Sequence, residues 1–214
     1  MRKYLLFTSM AFILANTLNA QISKGSILIG GNLSLGTSTT KYQTYEIDNN
    51  YLSINPAIGV AIKENSVLGI SLSYSMYTQK NTLLNAYKED ANAYGGGLFY
   101  RQYKSLSNRF YLFGEAGAGY YNTKVTREAP DFIQIFKNNS VNLNLYPGIT
   151  YAVSKRFHLE ATLLNLLNLN YSSAKTTTMG SAPTSETKTD GFSFMTNVGT
   201  GVPLSLGFRF VIPK

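Results

Sequence analysis

Residues 53–75 read SINPAIGVAIKENSVLGISLSYS. Ile54, Ile58, Val60 and Ile62 alternate with Asn55, Gly59 and Ala61. Leu68, Ile70, Leu72 and Tyr74 then alternate with Gly69, Ser71 and Ser73. A period of two places one set of side chains on each face of a strand. The polar residues Lys63, Glu64 and Asn65 separate the two runs, so the stretch predicts an antiparallel hairpin with one strongly apolar face.

The same rhythm recurs on both sides of this hairpin. Ile27, Ile29, Leu33 and Leu35 oppose Gly30, Asn32, Ser34 and Gly36. Val141, Leu143, Leu145, Ile149 and Tyr151 oppose Asn142, Asn144, Gly148 and Thr150. Leu204, Leu206, Phe208, Phe210 and Ile212 oppose Ser205, Gly207, Arg209 and Val211. Three further strands are expected near 92–103, 109–122 and 156–171, where the two faces are similar in apolarity. Charge orients these. An Arg or Lys facing hydrocarbon costs about 2–4 kcal/mol near the midplane, so Arg101, Glu115 and Glu160 are placed inward. Leu98, Tyr100, Phe110, Leu112, Leu159 and Leu163 then face outward. The alternation breaks over 163–169, which predicts a bulge there.

Composition agrees with an apolar exterior. Only 14% of residues are charged, while Tyr numbers 16, Phe 12 and Gly 18. Soluble domains carry about 25% charged residues. After the first 20 residues no apolar run approaches the roughly 20 that a spanning helix needs. Few charges, many aromatics and alternating segments predict an all-β, eight-stranded antiparallel up-and-down transmembrane β-barrel formed by residues 21–214. Residues 1–20 predict a cleaved signal peptide: Arg2 and Lys3 lead an apolar stretch that ends at Ala20.

The expected connections alternate in length. Short turns are predicted at 63–66, 104–108 and 154–155, and long polar loops at 38–50, 78–91, 123–139 and 172–191. Short periplasmic turns and longer extracellular loops characterise outer-membrane barrels. Tyr42, Tyr45, Tyr51, Tyr77, Tyr120, Tyr121 and Tyr171 fall near the loop ends. Tyr100, Phe110, Phe157, Phe208 and Phe210 fall near the turn ends. Two interfacial aromatic girdles are therefore expected.

Several function classes are excluded or set aside. The net charge is +8, but its Lys and Arg residues are scattered, without the basic stripe of a nucleic-acid binder. There is no Cys, so disulfides and thiolate metal sites are ruled out. No cofactor, metal site or catalytic set is expected. The glycines at 95–97, 114, 117 and 119 lie inside strands, not before a helix, so they make no phosphate loop. They are expected to leave room for Tyr and Phe on curved strands. His158, the only histidine, lacks an evident nucleophilic serine and is read as an interior residue at the rim.

The residues that invite a functional reading are Arg101, Glu115, Glu160 and Arg209. Charges inside a narrow barrel must pair, so these four predict an ion-pair cluster that plugs the lumen, with Arg101 and Glu115 as neighbours. Its role is either structural or that of a gate.

The hairpin at 53–75, followed by GGGLFYRQY, RFYLFGEAGAGYY and NLYPGITYAVSKRFHLEA, resembles the porin-like outer-membrane β-barrel family common in Bacteroidota. The resemblance spans nearly all of the mature chain. It implies residence in a Gram-negative outer membrane, as a monomer partnered by lipids and, during assembly, by the insertion machinery. It implies no activity. The C-terminus departs from many barrels by continuing past Phe210 to Val211, Ile212, Pro213 and Lys214. The readings carried forward are a structural or surface-recognition barrel acting through four loops, a narrow channel for small solutes or ions, a lipid A-modifying enzyme and a soluble periplasmic barrel.

Overall fold

The fold is a ring of antiparallel strands, seen in a computed structural model that describes residues 22–81, 87–163, 166–180, 183–196 and 204–214. The proposed signal peptide lies outside the described residues. The strands in chain order are β1 (Ile27–Lys41), β2 (Glu46–Lys63), β3 (Ser66–Asn81), β4 (Tyr87–Ser105), β5 (Phe110–Ala129), β6 (Phe132–Ala152), β7 (Phe157–Leu163), β8 (Leu167–Gly180), β9 (Ser185–Thr196) and β10 (Leu204–Ile212). Each of β1 to β6 pairs with the next. Both β7 and β8 pair with β6, one below the other, so together they make the seventh stave of the barrel. The eighth is likewise divided: β9 pairs with β8, and β10 pairs with β7 and β1. Pairing of β10 with β1, from Ile27↔Ile212 to Asn32↔Gly207, closes a ring of eight staves.

The break in the seventh stave has a local cause. Pairing of β6 with β8 stops at Leu145 and pairing with β7 starts at Gly148. Between them stands Pro147, which has no N–H to give to a neighbouring strand. The alternation breaks where the stave divides: β7 ends at Leu163 and β8 starts at Leu167.

The outward face follows the alternation. Leu98, Leu112, Leu143, Leu159 and Phe210 are exposed, while Phe99, Phe113, Glu160 and Arg209 on the other parity are buried. Two aromatics depart from the girdle expectation. Tyr77 donates to Asn49 Oδ1 at 2.8 Å, on the parity opposite to the exposed Met76 and Tyr74, and Tyr121 lines a cavity in the lumen. At the turn end Phe157 packs against Phe210 with ring centres 5.1 Å apart, and Phe110 against Tyr151 at 4.9 Å, both pairs tilted.

The long loops are corrected. Strands continue through most of 38–50, 78–91, 123–139 and 172–191, with β5 reaching 20 residues and β6 21. About 9–11 residues suffice to cross a bilayer. The strands are longer than that, and their outer parts are polar hairpins tied by contacts such as Thr39 Oγ1 to Asp48 Oδ1 at 2.7 Å and Arg127 to Glu89 at 2.8 Å. Apolar contrast ends where hydrocarbon ends, whereas backbone pairing goes on. Strand β9 begins within the last of these expected loops and runs beyond it to Thr196. At the other end the turns are short. That between β2 and β3 has Asn65 in the left-handed region, φ 58°, which Asn tolerates better than most residues.

Among the described residues, the pairing that closes the ring covers only its narrow part. Beyond Asn32, β1 has no described partner on the side away from β2, and no Cα of β9 lies within 8 Å of one of β1. Leu35 on β1 is 74% exposed and Phe192 on β9 is 70% exposed.

Candidate functional site: a plugged lumen

The narrow, short-turn half of the barrel is filled in two layers. The lower layer is apolar. Leu28, Val67, Phe113, Tyr103, Tyr111 and Val211 converge there, and Ile22 enters from the segment preceding β1. That segment crosses the barrel end through Asn65 N–H to Ile22 O at 2.9 Å and Gly25 N–H to Ala61 O at 2.7 Å. Phe113 needs the absence of a side chain opposite it: a Cβ on Gly148 would stand 2.3 Å from its ring. His158 belongs to this layer. It is 1% exposed and lies 6.3 Å from the Tyr111 ring in a stacked arrangement, and neither ring nitrogen has a hydrogen-bond partner.

Directly above lie the four charged residues singled out in the sequence. Arg101 and Glu115 are cross-strand partners on β4 and β5, and Arg101 Nε donates to Glu115 Oε2 at 2.5 Å. Arg101 Nη1 reaches across the lumen to Glu160 Oε1 on β7 at 2.6 Å. Arg209 on β10 donates through Nε to both oxygens of Glu160, each at 3.0 Å. All four residues are at most 7% exposed. Two positive and two negative charges sum to zero, which is how such a group survives in a low-dielectric interior. The Arg101 guanidinium also lies 4.0 Å from the centre of the Phe113 ring.

Two members of this network were not foreseen. Tyr146 donates to Glu115 Oε1, and the Tyr103 hydroxyl lies 3.1 Å from Arg101 Nη1 and 3.3 Å from Glu160 Oε1. A signal for both was present. Tyr103 stands two residues beyond Arg101 on its face, and Tyr146 continues the parity of Asn142 and Asn144. The contribution of Ile22 had no signal, because it depends on a chain segment folding back.

Above the cluster the lumen opens into a cavity of about 300 Å³. Its wall carries Asn32, Asn55, Ser71, Ser73, Asn144 and Thr162, and its floor is the ion-pair cluster. Among the described residues there is no group of three side chains suited to hold a metal ion.

A closed antiparallel barrel with an apolar outer belt and a charge-filled lumen is the architecture of small outer-membrane proteins. The chain resembles in fold the outer membrane protein OprG from Pseudomonas aeruginosa, with a TM-score of 0.57 and 13% identity over 90% of this chain and 98% of that one. A major outer membrane protein from Thermus thermophilus is more distant, with a TM-score of 0.44 and 11% identity over 88% of this chain and 98% of that one. No protein-family description matches the sequence, and no curated protein matches it.

Proposed function

We propose that this chain is a small integral protein of a Gram-negative outer membrane, sealed against diffusion through its lumen, with its strand-built wide end facing outward and doing any recognising. The observation that carries this reading is the two-layer filling: Arg101, Glu115, Glu160 and Arg209 lie over an apolar disc that includes Ile22, Tyr103 and Phe113. An ion entering from the wide end meets paired charges, and behind them side chains that cannot solvate it. The fold of OprG and the sequence resemblance to Bacteroidota barrels support the location, and the expected signal peptide provides the route to it. His158 supports a non-enzymatic role: it is buried beside Tyr111 without a hydrogen-bonded partner, whereas general acid–base chemistry needs one within reach.

Planar-bilayer recording tests the seal. The refolded protein should give no discrete current steps. Glu115→Gln, which weakens the cluster, should lower unfolding stability and leave the membrane silent. Steady unit currents from the unaltered protein would replace this reading with that of a narrow channel.

A further inference from the structure

Four lysines that stand far apart in sequence meet in one row. Strand pairing sets Lys124 of β5 opposite Lys137 of β6, Lys137 opposite Lys175 of β8, and Lys175 opposite Lys188 of β9. Directly opposed residues point to the same side of a sheet, so the four side chains share a face. That face is the outer one. The register runs unshifted from this row to the row four residues nearer the narrow end, which holds Tyr120, Val141, Tyr171 and Phe192, all exposed.

The row is unfavourable within the chain, because like charges in opposed positions repel. Of the four, among the described residues, only Lys175 has an ion pair, with its Nζ 2.8 Å from Glu186 Oε1. Asp190, opposite Ser173, is the other carboxylate within two residues of the row on these strands. Asp90, on the neighbouring β4, is already held by Lys88. Four positive charges against Glu186 and Asp190 leave the patch at +2. On β4 to β1 the same row continues as the uncharged Asn92, Met76, Leu52 and Leu35. The charge is therefore confined to one side of the barrel, across about 14 Å.

The surface below the row decides the occupant. Beyond the aromatic row the Tyr120 hydroxyl donates to Asn139 Oδ1 at 3.0 Å, and Asn122 Nδ2 donates to the same atom at 2.6 Å. The lysines stand two residues further on. The outer face thus passes from rings, through amides and hydroxyls, to ammonium groups. This rise is about 13 Å along a strand, and about 10 Å along the axis of a barrel whose strands tilt by about 40°. A bilayer leaflet changes in the same order, from acyl chains to charged headgroups, over an interfacial depth of about 5–8 Å. Lysine stems can bend along the surface to cover the difference. A soluble polyanion would meet the lysines alone, whereas a membrane lipid meets rings and lysines together. Ammonium groups bind phosphate oxygens through charge-assisted hydrogen bonds.

We propose that Lys124, Lys137, Lys175 and Lys188 bind the phosphorylated headgroup of a membrane lipid whose acyl chains lie on Tyr120, Val141, Tyr171 and Phe192. The inference rests on the membrane reading above, and is independent of whether the lumen is sealed.

The test uses the protein refolded into phosphatidylcholine vesicles that contain either bisphosphorylated lipid A or the same lipid stripped of its phosphates. Native mass spectrometry after transfer to detergent counts the lipid retained. Lipid A should be retained in preference to the stripped form, and high salt should release it. A lysine beside an anionic headgroup contributes about fivefold in affinity. Lys124→Gln, Lys137→Gln, Lys175→Gln and Lys188→Gln combined should therefore cut retention by more than about tenfold. Lys24→Gln, Lys63→Gln, Lys104→Gln and Lys155→Gln combined remove the same charge at the narrow end and should leave retention unchanged. The gel shift between boiled and unboiled samples reports that each variant is folded. In the unaltered protein, which needs no variant, lipid A should shield the four lysines from amine acylation while Lys63 and Lys104 stay reactive. Equal retention of the two lipids, an equal loss in both variants, no loss in the first, absence of shielding, or displacement of lipid A by inorganic phosphate at equal concentration would each overturn the proposal. A protein that never entered the vesicles would defeat the membrane reading as well. One that entered them and showed no preference for phosphate would defeat this inference alone.

Discussion

The narrow and wide halves of this barrel are built from the same strands under different rules. In the narrow half every edge is paired, with β10 joined to both β7 and β1. Above Asn32, among the described residues, β1 is paired only with β2 and β9 only with β8. Hydrocarbon cannot hydrogen-bond a free N–H or C=O, so closure is obligatory wherever lipid meets backbone. Toward the wide end the described strands run on as polar hairpins. The two halves also differ in what they carry inside: paired charges over an apolar disc in one, amides and hydroxyls around open space in the other. Strength is concentrated where the membrane demands it.

Cysteine pairs give the sharpest test of this difference, because the chain has no Cys of its own. Ile29→Cys with Phe210→Cys joins directly opposed residues of β1 and β10 and should cross-link on oxidation. Leu35→Cys with Phe192→Cys should stay reduced, since a disulfide needs Cα atoms within about 7 Å. A full yield of the second cross-link on a non-reducing gel would show that β9 lies against β1.

The next effect in size concerns the plug. Glu160 accepts from both Arg101 and Arg209, so Glu160→Gln leaves two buried guanidiniums short of charge. A loss of about 3–5 kcal/mol in urea unfolding is expected. A loss below that of Glu115→Gln would mean that Glu115 is the centre of the cluster.

The outer belt should respond somewhat less. Leu143→Arg puts a charge on the outward face of β6, at an expected cost of about 2–4 kcal/mol in lipid. The same variant should be tolerated far better in a detergent that admits water to the belt. Equal tolerance in lipid vesicles would place residue 143 outside the hydrocarbon.

The smallest effect belongs to the wide rim. Burial alone would raise the Glu89 carboxyl, but hydrogen bonds from Arg127 and Tyr87, with the Arg127 charge, outweigh it and hold it below its usual value of 4.5. A carboxyl depressed on folding contributes stability that is complete above its unfolded value and lost as the pH falls through the folded one. Acidification below 4.5 should therefore loosen the hairpins around residues 89 and 127 before the plug yields, with amide exchange rising there first. Protection unchanged in that range would mean that the rim pair holds nothing in place.

Much of this was legible before any coordinates. The alternation at 53–75 and its repeats, with the scarcity of charge, determined a barrel with a lipid-facing exterior. Burying Arg101, Glu115, Glu160 or Arg209 against hydrocarbon is too costly, so their inward direction followed as well. Strand ends were not legible, because Thr, Asn and Lys at 38–50 or 123–139 pair as well in a hairpin as they solvate in a loop. The contact of Arg101 with Glu160, the entry of Ile22 and the separation of β9 from β1 were settled only by the tertiary structure. Each depends on how staves distant in sequence meet around the ring. Alternation fixes which face a side chain occupies but carries no information about what stands across the lumen.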